Sequence, residues 1–163
     1  MNIFILDRDP ASAAACHADI HLAKMILEGA QMLAAAFHHY GHPVEYKPTH
    51  INHPCSRWVR ESRDNALWLY CLMEFLEIER QLRFGTKPRH KSLLLAEKWM
   101  EHIALLPSKG LTEFVLAMPD QYRSADPVGS YRAYYASKAA TMPLRYSNTS
   151  APKWITLPER TPT

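Results

Sequence analysis

Glycine is scarce in this chain, with five residues in 163. They lie too far apart to build a dinucleotide fingerprint or a phosphate-cradling loop, which excludes Rossmann and P-loop chemistry. There is no GxSxG elbow, no HD metal signature and no HxE with PCxxC. Cysteine is also sparse. Cys16, Cys55 and Cys71 are odd in number and lack CxxC spacing, so neither a disulfide framework nor a thiolate zinc site is expected. No stretch of 18 or more uncharged apolar residues exists, so no membrane span is predicted, and MNIFILDRDP carries no basic leader. These features predict a cytosolic protein with no membrane partner. A formal charge of +3 permits a polyanionic partner without demanding one.

What remains is an ordinary globular composition, 47% hydrophobic and 21% charged. It suits one mostly α-helical domain over residues 1–163. Histidine is the anomaly: nine occur, and seven fall between His17 and His53. The same region holds the longest helical pattern, HADIHLAKMILEGAQMLAAAFHHY. Its apolar residues spread around most of the circumference, which predicts a central buried helix over about 19–40. His17, His21, Lys24, Glu28 and Gln31 nonetheless share one narrow strip. Unpaired polar groups are costly inside a protein, so this strip should line a cleft or meet polar partners.

Around that helix, Asn2 to Leu6 predicts a short strand, and Asp9-Pro10 a helix start. Asp19 projects onto the apolar side, so a break near Ala18 with Asp19 as N-cap is expected. Gly41 supplies the stop. Residues 42–56 hold three prolines and little periodicity, reading as a long loop. A second long helix should run from about Asn65 to Phe84, beginning as early as Pro54. Trp58, Trp68, Leu69, Leu72, Phe75 and Leu82 are expected on its core face. A third is expected from Lys91 to Leu106, and a last from Asp126-Pro127 to about Thr141. Between the last two the chain looks irregular, apart from a turn of helix near Leu111 to Ala117. Trp154 is expected to pin the tail.

Several groups of residues suit chemistry. His17 and His21, at i and i+4, can aim two imidazoles at one point; Asp19, Glu28, His50 and His53 could complete a metal shell. The same groups fit metal-free acid–base work, which we favour, with a lysine held by a buried glutamate to neutralise phosphate. Their plainer role is mutual satisfaction of buried polar groups. The THINHP loop suits ligand binding or simple turn chemistry. Arg57, Arg60 and Arg63, with the acid-free RFGTKPRHK connector carrying Arg83, Lys87 and Arg89, could follow a nucleic-acid backbone. A solvated, ion-paired face is the plainer alternative. Asn65, Glu79 and Arg83 share one face of the second helix, as structural partners or as the far wall of a cleft. Tyr131 and Tyr135 in YRAYYASK interleave rings with cations, suiting base stacking, although tyrosines at this spacing are more often core.

Asp19, His21, Lys24, Met25, Glu28, Gln31, His50, His53, Pro54, Trp58 and Asn65, together with MNIFILDRDP and YRAYYASK, form a pattern. It resembles a family of small proteins encoded by tailed bacteriophages. It is also similar to the amino acid:DNA transferases, or α-glutamyl/putrescinyl thymine pyrophosphorylases, of phage thymidine hypermodification. The resemblance implies action in the cytoplasm of an infected bacterium, with DNA and a small amine or amino acid as partners. An amine nitrogen would displace pyrophosphate from an activated 5-hydroxymethyluracil. His21 or Asp19 would accept the amine proton, while Lys24 and Arg57 or Arg83 stabilise the leaving group. Glu28 would hold Lys24, and His50 or His53 would assist departure or bind Mg²⁺; no nucleotide cofactor is implied. Relatives carry Cys where this chain has Ala18. Two other classes remain open from the residues: a metal-dependent hydrolase or nuclease using His17, Asp19, His21, His50 and His53, and a non-catalytic nucleic-acid-binding module.

Overall fold

Two long helices pack against each other at Gly29. In the computed structural model, which describes residues 1–85 and 88–157, α2 (Asp19–His39) crosses α4 (Arg63–Phe84). A Cβ on Gly29 would stand 2.7 Å from Met73 Sδ and 3.4 Å from Leu69 Cδ1, so any side chain there forces Met73 to shift. Twelve residues of α2 are buried, which makes it the central element. Around it stand α1 (Pro10–Ala15), α3 (Pro54–Glu61) and α5 (Lys91–Trp99). The last helix, α6 (Pro127–Ser137), buries Tyr131 and Tyr135. The fold is mostly α.

Local chemistry explains the boundaries. Asp9 and Asp126 cap α1 and α6 by accepting from Ser12 N and Val128 N, each with proline in the first turn. The expected break before α2 is present, but Ala18 is the N-cap and Asp19 the first helical residue. At the other end Gly41 takes φ +78°, just past the Tyr40 C-cap. The second helix is two helices. Ser62 leaves helical geometry at φ −149°, and its hydroxyl accepts from Asp64 N to start α4. The third helix is α-helical to Trp99 and then tightens into a 3₁₀ segment, Met100–Leu105. No helix forms at 111–117; a short 3₁₀ turn, Asp120–Tyr122, follows.

Two expectations fail. Among the described residues there is no strand: Asn2 to Leu6 has no regular structure, with Leu6 N donating to Phe4 O at 3.0 Å, and Ile3 to Leu6 are buried in the core. Phe75 and Leu82 face outward, at 36% and 71% exposure, while Leu69, Leu72, Met73 and Leu76 of the same helix are buried. Helix α4 is apolar on two faces, and periodicity alone does not say which is inward. Trp154 does pin the tail, lying 5.4 Å from Arg132 and 6.3 Å from the Tyr135 ring.

Candidate functional site

The polar strip of α2 is divided by what covers it. His17 is fully buried. Its Nδ1–H donates to Ala13 O at 2.7 Å, leaving Nε2 as the unpartnered buried polar side-chain atom among the described residues. Burial, outweighing that hydrogen bond, pushes its pKa down to about 3. His21 lies against Phe4, with ring centroids 5.3 Å apart. Its Nδ1 sits 2.6 Å from the Tyr135 hydroxyl, which already accepts from Ala18 N at 2.8 Å. The Tyr135 proton therefore goes to Nδ1, and His21 carries its own proton on Nε2. Burial, reinforced by Lys138 and Lys24, lowers His21 to about 4. At neutral pH it is a neutral imidazole. Sequence reasoning expected a proton acceptor here.

Lys24 is exposed between these groups. Among the described residues it forms no ion pair with Glu28, contrary to expectation. Glu28 instead accepts from Asn2 N at 3.0 Å, and the Met1 amino group stands 4.0 Å away. His53 approaches the same carboxylate, feeling both Glu28 and the Met1 amino group. Its Nδ1 accepts from Cys55 N as the cap of α3, and burial lowers its pKa. His50, at φ 48°, bonds Thr49 Oγ1 at 2.8 Å and faces His53 electrostatically. Gln31 opens at the far end into a groove of about 460 Å³ that Thr49, Tyr46 and Lys47 also line. One edge of the molecule thus carries His21, Lys24, Glu28, Gln31, His50 and His53.

Lys138 belongs with them and was missed in the sequence. Its ammonium lies 4.6 Å from the Tyr134 ring centroid and 5.3 Å from that of Phe4, near enough to lower His21. The i, i+4 spacing of Tyr134 and Lys138 was a usable signal. The covering role of Phe4 and Asn2 had none, because it depends on a contact between residues distant in sequence.

Other expected site residues are structural. Asp19 accepts from Ser147 N at 3.0 Å and Ser147 Oγ at 2.6 Å, and pairs with Arg83 at 3.2 Å. Arg83 is buried and committed: it pairs with Glu79 at 2.9 Å and donates to His17 O and Ala15 O. Neither Asp19 nor Arg83 can turn to a substrate without breaking this knot. Asn65 donates to Trp58 O and Thr112 Oγ1 and accepts from Thr112 N, clamping the loop before α6. Tyr131 donates to Val115 O from a fully buried position, and Tyr135 is equally buried, so neither ring can stack on a base. Arg89 ties Glu74 to Glu97 at 2.6 and 2.7 Å, stapling α4 to α5. Arg63 donates to Leu106 O and Ala104 O, away from any stripe with Arg57. Lys87 lies outside the described residues.

Arg57 is exposed, and with Arg60, Lys109 and His39 it lines an open groove of about 720 Å³. Glu61 and Glu113 share that groove, and Arg60 is held by Ile51 O. Among the described residues, no three His, Cys, Asp or Glu side chains converge as a metal site. The metal shell considered from sequence is therefore not assembled, and His50 and His53 offer nitrogen donors where Mg²⁺ takes oxygen. The three thiols are free, and burial raises Cys55 to about 11, far from a reactive thiolate. No helix among the described residues is long and apolar enough to cross a membrane. No protein-family model, curated protein or solved structure matches the chain.

Proposed function

We propose that this is a bacteriophage DNA-modifying transferase acting on a base, with an amine or amino acid as its second substrate. The observation that carries the reading is the buried, neutral His21, its Nδ1 engaged by Tyr135 and its ring within the field of Lys138 and Lys24, with Glu28 and His53 farther along the same strip. A fixed neutral donor flanked by two cations suits a departing polyanion, because it strengthens as negative charge develops. In the proposed step the amine nitrogen bonds to the methylene carbon of a 5-(pyrophosphoryloxymethyl)uracil, and the carbon–oxygen bond to pyrophosphate breaks. The nitrogen then loses one proton to the Glu28 carboxylate. Lys24, Lys138 and the Nε2–H of His21 receive the pyrophosphate charge.

The groove at Arg57 and Arg60 lies by the other end of α2, roughly 27 Å from His21 at 1.5 Å per residue. That separation matches about eight nucleotides of backbone, so the groove suits phosphates flanking the modified base. DNA carrying the activated base should gain the mass of an added amine when incubated with this protein and candidate amines. Nucleoside mass spectrometry that finds no altered base with any amine overturns the reading. Glu28→Gln should slow turnover about 100-fold while leaving DNA binding intact. Arg57→Ala should weaken DNA binding and flatten its salt dependence. If Glu28→Gln and Lys24→Ala are both fully active, the chemistry lies elsewhere.

A further inference from the structure

The outer face of α4 carries Leu67, Cys71, Phe75, Ile78 and Leu82 in one unbroken line, all exposed. From Cys71 onward the spacing is four, three, four, the seam of a pair of packed helices. We propose that this stripe is the interface of a two-fold homodimer in which α4 packs antiparallel against α4 of a second copy. A two-fold axis crossing the helix between Glu74 and Phe75 exchanges Leu67 with Leu82 and Cys71 with Ile78, and sets the two Phe75 rings side by side. The stripe is thus complementary to itself, which is what an isologous interface requires and what a foreign helix would not.

Leu67, Phe75, Ile78 and Leu82 are 37%, 36%, 48% and 71% exposed, which with Cys71 is on the order of 450 Å² of apolar side chain per copy. Full cover of both stripes removes roughly 900 Å², short of the about 1,200–2,000 Å² of a standard specific interface, so the stripe is the apolar centre of the contact and the flanking polar side chains supply the rest. The partly exposed Arg89 staple to Glu74 and Glu97 stands on the adjoining flank, where a rim belongs.

Light scattering and sedimentation of the full chain should give twice the chain mass at micromolar concentration. Ile78→Glu combined with Leu82→Glu should give the monomer mass with unchanged circular dichroism, since both side chains face solvent in the single chain. A monomer in the unsubstituted chain, or a dimer that survives both charges, overturns the proposal. Register is tested separately with Ile78→Cys, which brings Cys71 of one copy opposite the new thiol of the other. Diamide takes two electrons and two protons from each such thiol pair, and a covalent dimer results. In the unsubstituted chain the two Cys71 residues are about 10 Å apart along the axis, beyond disulfide reach. Equal crosslinking of the unsubstituted chain, or none in Ile78→Cys, overturns the antiparallel register.

Discussion

At the scale of single residues, three histidines that look alike in sequence are fixed in different states by one neighbour each. Ala13 O holds the proton of His17 on Nδ1, the Tyr135 hydroxyl leaves that of His21 on Nε2, and the Cys55 amide makes His53 Nδ1 an acceptor. Long-range ¹⁵N–¹H NMR correlation should show these opposite tautomers for His17 and His21; matching tautomers would refute the assignment. The same burial makes stability depend on pH. Both folded pKa values, about 3 and about 4, lie below the ordinary histidine value of 6.5. The unfolded chain therefore binds more protons between pH 6.5 and 4, and stability falls as pH falls through that window. From pH 7 to 5 each histidine should remove roughly 2 kcal/mol. Urea denaturation that is flat over this range would contradict the buried neutral pair. Asp19→Ala should cost about 3 kcal/mol, because it strands the buried Arg83 charge with Glu79 alone and releases Ser147.

Among elements, the decisive contact is the crossing of α2 on α4 at Gly29. Gly29→Val should destabilise by about 2 kcal/mol through overpacking against Met73, and Met73→Ala in the same chain should recover part of that loss. A chemical-denaturation cycle showing strict additivity would mean the two residues do not meet. Asp-Pro at α1 and α6 and Gly41 after α2 were legible because they are local, using neighbours within a few residues, whereas the break at Ser62 that divides α3 from α4 was not foreseen. The inward face of α4 was not legible. Its leucines and aromatics occur on both sides, and the choice is made by where α1 and α2 pack.

Over the whole molecule, the N-terminal segment and the tail decide which polar residues remain available. Asn2 and Phe4 lie over the α2 strip, and Ser147 and Asn148 tie the tail to the α2–α4 knot through Asp19 and Arg83. Asn65→Ala should loosen the loop before α6 and cost about 2 kcal/mol, since it leaves Thr112 N and Trp58 O without their partner. Faster hydrogen exchange at residues 110–116 in the variant is the expected signature.

By itself the sequence determined a mostly helical chain with a central helix over about 19–40 and a polar strip along it. Helical periodicity and capping are properties of residues a few positions apart. It also brought His21, Lys24 and Glu28 into one line, because they share a helix. Only the tertiary structure decided that Asp19, Arg83, Tyr131 and Arg89 are spent on holding the fold, that Glu28 turns to Asn2 rather than Lys24, and that Lys138 joins His21. A side chain's freedom to act depends on which distant carbonyls, hydroxyls and charges have already claimed its donors and acceptors, and those neighbours meet only when the chain has folded.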